Sequence, residues 1–246
     1  MTEPPIDTSI SLSADPATLD AVRTRYVIGA NAEGDVLHPA FIAARGAVEA
    51  AYTRSLTMST AERAIRDQRN ADPAQQRRLR AGVEKSLGEA RKAVATALEG
   101  IGSHRAKVEE EIVSALGVPI MRTSVTDSQR GADVRSALRA MGESARREAI
   151  RAAIQAGDRE AVSAVLAASP LASGLTPNDL EGVRIDAERK FAPKEAETRD
   201  NLDKLRELVA RAGDATERRF APLVGRGDDP NARSEAALRA LETEAK

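Results

Sequence analysis

Leu87, Val94, Ile101, Val108 and Ala115 stand seven residues apart, and Ala90, Ala97, Leu98 and Ile112 fill the neighbouring positions of the same seam. Apolar residues at this spacing fall on one face of a helix with 3.6 residues per turn, and a stripe repeating every seven residues is that of a helix lying along another helix. Asp72-Pro73 opens the stretch, and Gly117 with Pro119 closes it. Unbroken, residues 73–116 predict a helix of roughly 65 Å at 1.5 Å per residue. Gly100 and Gly102 each cost about 1 kcal/mol against alanine and mark a place for a bend near residues 100–103. The heptad phase continues across them, which favours one helix or two collinear ones.

Composition limits what such a helix can pack against. The chain is 41% hydrophobic but only 2% aromatic, with Tyr26, Tyr52, Phe41, Phe191 and Phe220 and no Trp. Alanine, about one residue in five, is the best helix former yet buries little area. Large side chains that thicken a globular interior are scarce. The expected fold is all-α: an elongated helical bundle or coiled-coil hairpin with a long central helix and a flexible N-terminal arm. Thin helices need partners within the chain or from other copies, so a homo-oligomer is expected.

Local signals divide the 246 residues. Residues 1–35 read as a flexible or weakly structured arm, with Thr8-Ser9-Ile10-Ser11-Leu12-Ser13 alternating at strand-like period two. Asp15-Pro16 offers a helix start running through Leu19, Val22 and Tyr26 to Gly29; equally, Arg25–Ile28 and Val36–Leu37 fit a short hairpin about the turn at residues 31–35. Residues 36–117 hold a helix from Pro39 to about Leu56, a short one opened by the capping box Ser59-Thr60-Ala61-Glu62, and the heptad helix. Residues 118–225 pack back on it. There Thr126-Asp127 caps a helix through Val134, Leu138, Met141, Ala145, Ile150 and Ile154 to Gly157, and Asp158 caps a short helix ending at Ser169-Pro170. After the linker at residues 171–175, Thr176-Pro177 starts a long helix towards Ala212, which Pro193 kinks or breaks. Residues 226–246 are a polar helix or tail.

With 37 basic and 38 acidic residues and a net charge of −1, the chain carries no global footprint for nucleic acid or acidic lipid. Cysteine is absent, which excludes disulfides, thiolate metal sites and cysteine nucleophiles. No apolar run reaches the roughly 18 residues of a membrane span, and residues 1–12 lack a cationic start and apolar core, so no membrane association and a cytoplasmic location are expected. Arginine far exceeds lysine beside abundant alanine, which points through codon usage to a high-GC bacterial or bacteriophage genome.

Motifs for chemistry are few. Phosphate-loop, dinucleotide, His-Glu-x-x-His and nucleophile-elbow patterns are missing, as is the Glu-x-x-His of di-metal bundles. His38 and His104 are the two histidines, without a second His at i+4, and Glu109-Glu110-Glu111 fan around a helix axis; no catalytic residue, cofactor or metal site is assigned. Arg226-Gly227-Asp228 reads as turn chemistry. One hexapeptide recurs 29 residues apart, Glu188-Arg189-Lys190-Phe191-Ala192-Pro193 and Glu217-Arg218-Arg219-Phe220-Ala221-Pro222. Each Phe is expected to staple a helix end at a proline break. A basic cluster, Arg77, Arg78 and Arg80 with Arg63, Arg66, Arg69, Lys85, Arg91 and Lys92, makes residues 60–92 locally positive, but carboxylates interleave and stacking aromatics are missing.

Residues 155–175, from Gln155-Ala156-Gly157-Asp158-Arg159-Glu160 through Ala168-Ser169-Pro170-Leu171-Ala172-Ser173-Gly174-Leu175, and the Thr176-Pro177-Asn178-Asp179-Leu180 start after them, resemble Ala/Arg-rich helical proteins encoded in phage and prophage structural regions. The resemblance covers only this stretch of the chain, and its motif is a general helix-turn-helix. It implies an accessory, scaffolding-like role in virion assembly, with virion structural proteins as partners, and carries over no functional residue.

The expectation is therefore a non-enzymatic structural or assembly protein. Leu87, Val94, Ile101 and Val108 supply its packing seam, and Phe191 and Phe220 its partner anchors. The alternative is a DNA-associated or regulatory protein that contacts nucleic acid through Arg77, Arg78 and Arg80; nucleic acid is the less favoured partner.

Overall fold

The computed structural model describes residues 14–32, 34–67, 73–118 and 125–224. Among them the chain is mainly α-helical with one two-stranded sheet. The order is α1 (Ala17–Asp20), a 3-10 turn (Arg23–Tyr26), β1 (Val27–Asn31), β2 (Gly34–Leu37), α2 (Pro39–Asp67), α3 (Pro73–Ala115), α4 (Val125–Ala140), α5 (Glu143–Ala156), α6 (Arg159–Leu166), α7 (Pro170–Ser173), α8 (Pro177–Phe191) and α9 (Pro193–Val224). Two compact units form: Met1–Ile101 with Lys204–Lys246, and Gly102–Asp203. The boundary falls inside α3 and α9, unlike the sequential division at residue 117, because the long-range pairing of helices groups the residues and not their order.

In the first unit, residues 14–32 and 34–37 form a short helix, a 3-10 turn and a hairpin, not a weakly structured arm. Asp15 accepts a hydrogen bond from the Ala17 backbone N–H at 2.9 Å where α1 begins, but Pro16 and not Asp15 takes the N-cap position, and the helix stops at Asp20, well short of Gly29. Beyond the 3-10 turn the chain forms the short hairpin: β1 and β2 pair antiparallel, with a register shift between Val27 and Gly29. Leu19 and Tyr26 are buried, and the Tyr26 ring stacks on Phe41 with centroids 4.8 Å apart. That contact anchors the hairpin to α2, where His38 Nδ1 accepts from the Ala40 N–H at 3.2 Å and caps the helix. The stretch Thr8–Ser13, Arg69 and all of residues 226–246, Arg226-Gly227-Asp228 included, lie outside the described residues.

The capping box at Ser59 does not open a new helix, because α2 runs through it to Asp67. Thr60 Oγ1 donates back to the Leu56 carbonyl at 3.2 Å, and Ser59 and Glu62 are buried and turned towards α9. Polar side chains that satisfy themselves on a neighbouring helix no longer compete for their own backbone. Met58, Val83, Leu87 and Phe220 form the core joining α2, α3 and α9. The pairs Arg54–Glu89 and Arg91–Glu217 add polar contacts from α3 to α2 and to α9.

Pro193 breaks its helix: α8 ends at Phe191, Ala192 leaves helical geometry, and Pro193 takes the first position of α9. The twin motif behaves differently. Pro222 lies inside α9, which continues to Val224, so the staple reading fails at Phe220. The helix also passes Ala212, its expected end, because Gly213 keeps helical geometry.

In the second unit α3 ends at Ala115 and is closed by Gly117, which takes φ +68°; its N–H bonds the Ser114 carbonyl and that of Val118 the Val113 carbonyl. Gly157 and Gly174 close α5 and α7 in the same left-handed way. The helix expected over residues 127–156 is two. α4 stops at Ala140, Gly142 is extended, and α5 starts at Glu143. Arg146 makes the break tolerable by donating from Nε to the Leu138 carbonyl at 2.8 Å and from Nη2 to the Met141 carbonyl at 2.9 Å. Thr126 and Asp127 stand inside the first turn of α4, not at its cap. α4 and α5 pack with α6, α7 and α8. The Thr176 start is as predicted: its hydroxyl accepts from the Asp179 N–H, and Asp179 accepts from the Thr176 N–H.

Candidate functional site

The seam residues lie in the interior of their own units. Leu87, Val94 and Ile101 are buried in the first and Val108 in the second. Along α9, Leu205, Val209, Ala212, Thr216 and Phe220 recur at spacings of three and four and are all buried. The stripe of α3 therefore has partners within the chain, and a second copy is not needed to cover it. Small residues set the approach. A Cβ built on Gly213 would lie 2.9 Å from Val94 Cγ1, so only glycine fits there without displacing Val94.

Phe220 is fully buried with Met58, Val83 and Leu87, and the Arg219 guanidinium sits 4.9 Å over its ring. It therefore anchors the chain's own fold, not a partner, because nearby helices already remove its surface from water. Phe191 is half-buried beneath Arg159, at 5.5 Å. The repeated hexapeptide thus makes two different cation–π contacts, one in each unit.

Arg77 and Arg78 are exposed near the start of α3 and Arg80 is half-buried. Arg91 donates from Nε to Glu217 at 2.6 Å, and this hydrogen bond holds the Glu217 carboxyl below its ordinary range. Arg54 is paired with Glu89. Glu217 thus neutralises Arg91 within the basic face that the sequence places over residues 60–92, whereas Arg54 lies outside that face.

Polar groups that the heptad pattern does not reveal occupy the helix contacts. Ser55 and Thr216 meet at 3.4 Å, and Arg219 donates to Ser59 at 3.1 Å and Glu62 at 3.2 Å. In the second unit Glu188 is buried, with only 4% of its side chain exposed, between Arg184 at 2.9 Å and Arg199 at 2.8 Å. Glu109 on α3 reaches both arginines. Two carboxylates and two guanidiniums thus bind α3, α8 and α9 together. The Glu181-x-x-Arg184 and Glu188 spacing shows only an i,i+4 pair in sequence; the convergence of Glu109 and Arg199 comes from tertiary structure.

Hollows on the described surface differ in lining. One of about 650 Å³ is lined by Leu37, Phe41 and Ile42 and by Asp20, Arg23, Arg45 and Glu49. Arg45 bonds Asp20 at 2.8 Å, which lowers the Asp20 pKa, so the charges here face one another. A second, of about 240 Å³, runs between α3 and α9 beside Gly213. A third, of about 230 Å³, sits among α4, α5 and α6 and is lined by aliphatic side chains, Val134, Leu138, Met141, Ile150, Val162 and Val165 with alanines between.

His38 caps α2 and His104 is half-buried on α3, and among the described residues no three of His, Asp and Glu gather as metal ligands. No helix of the described residues is long and apolar enough to cross a membrane. No family model, curated protein or solved structure matches the chain.

Proposed function

We propose that this chain is a non-enzymatic structural or assembly protein that works through helix surfaces. In this reading it is a scaffolding-like accessory of phage virion assembly, acting in the cytoplasm of a bacterial host as a homo-oligomer beside virion structural proteins. The observation that carries the reading is the hollow among α4, α5 and α6: its wall is hydrocarbon, which recognises other hydrocarbon and offers no group to move a proton. Meanwhile the convergent carboxylates and guanidiniums, Glu109, Glu188, Arg184 and Arg199, are occupied with holding helices together. The resemblance of residues 155–180 to phage structural-region proteins supplies the biological setting.

The test is a search for a capsid gene in the same genomic region, whose absence counts against the reading, followed by assembly in vitro with its product. The chain should co-sediment with immature shells and raise their yield. Unchanged shells, with the chain left in the supernatant, remove the reading.

The alternative of a DNA-associated protein draws on the exposure of Arg77 and Arg78. It requires duplex affinity that falls steeply with salt. Replacing Arg77, Arg78 and Arg80 together should then flatten the log–log slope by about one per lost phosphate contact.

A further inference from the structure

Leu171 is 86% exposed, more than any other large apolar side chain of the described residues. It stands in the single turn α7, between the buried Val165 and the buried Leu175. Exposing one leucine is ordinary. Its setting is not, because residues 161–178 form an 18-residue run without a charged side chain in a chain that is 30% charged. The same run supplies Ala161, Val162 and Val165 to the hollow among α4, α5 and α6. Knob and hollow thus belong to one unit and to one charge-free segment.

We infer that this hollow is a socket for Leu171 of a second copy of this chain. The inference rests on the assembly reading above and names the surface through which copies would meet. Volume fits: an apolar cavity of roughly 150 Å³ holds a benzene molecule, so about 230 Å³ accommodates an isobutyl side chain. Charge fits as well. The centres of protein interfaces are depleted in charge, and the segment 161–178, which carries the knob and part of the socket wall, has no charged side chain. Met141, partly exposed at the wall of the hollow, is a flexible side chain that adapts to an incoming leucine. Knob and socket are different surfaces, so the contact is heterologous and repeats from copy to copy. Little else need be buried, which makes the contact weak and concentration-dependent.

The experiment uses the full chain and two variants at exposed positions, Leu171→Asp without the knob and Ala137→Phe with the socket covered, both checked for native helicity by circular dichroism. Molar mass is followed by light scattering from about 1 μM to about 1 mM. The native chain should gain mass with concentration, and each variant alone should weaken association at least about tenfold, as expected for one lost leucine contact. An equimolar mixture should form a one-to-one pair, since Leu171→Asp keeps a socket and Ala137→Phe keeps a knob. If the native chain associates and either variant does so equally well, the socket is wrong and the assembly reading stands on its own shell test. A native chain that stays monomeric also overturns the socket; uptake of a small apolar dye that Ala137→Phe abolishes would then assign the hollow to a small ligand.

Discussion

Glu188 shows how much one side chain can carry in a helical protein with few large residues. Its carboxylate is buried between two guanidiniums. Removing one partner of a buried pair costs about 3–5 kcal/mol when the other stays dry, but Arg199 and Arg184 retain some solvent. Glu188→Ala is therefore expected to lower unfolding stability by about 2–3 kcal/mol, measured by urea denaturation. Glycine gives an opposed pair of outcomes. Gly88 has open space where a Cβ would go, so Gly88→Ala should stabilise by about 1 kcal/mol through helix propensity alone. Gly213→Ala gains the same propensity but drives a methyl into Val94, and overpacking of roughly 1–3 kcal/mol leaves it neutral or destabilised by as much as about 2 kcal/mol. Thermal melts of the two variants separate propensity from packing.

Helix ends and helix contacts obey different rules, and this chain separates them. Thr176 with Asp179 and the glycines at 117 and 157 behave as their sequence neighbourhoods predict, because a cap is made by residues within one turn. Thr176→Ala should cost about 1 kcal/mol, read in the denaturation midpoint. The signals that mislead are polar residues inside helices. Ser59 and Glu62 resemble a cap until Arg219 is placed beside them, and Gly142 breaks a helix whose apolar spacing continues. Phe220 is likewise an element-level matter. It ties α9 to α2 and α3, and Phe220→Ala is expected to cost about 3–5 kcal/mol, against a much smaller loss for the half-buried Phe191.

For the whole molecule, acid is the informative perturbant. Asp20 is held below the ordinary carboxylate range chiefly by its hydrogen bond from Arg45, Glu217 by that from Arg91, and Asp179 by those from Thr176. A carboxyl whose pKa is lower in the folded state binds fewer protons there than in the unfolded chain. Its stabilising contribution is complete above the ordinary carboxylate pKa and is lost as pH falls through the lowered native value. Stability should therefore be flat near neutrality and decline below about pH 4, seen as a falling melting temperature. Replacing Asp20 and Glu217 by Asn and Gln should shallow that decline.

The amino-acid sequence alone determined that the chain is mainly helical, that residues 73–116 hold one helix or two collinear ones and where several helices begin and end, since propensity, heptad spacing and capping act over a few residues. It also showed which face of α3 is apolar. Only the tertiary structure decided that this face is covered from within the chain, that Phe220 is core, and that Glu188 is enclosed by arginines. Those outcomes join residues such as Ser55 and Thr216, 161 positions apart, and Arg184 and Glu109, 75 apart. No local preference encodes such pairs; they form because burying the small aliphatic stripes brings distant polar groups together, where they must bond one another once water has left.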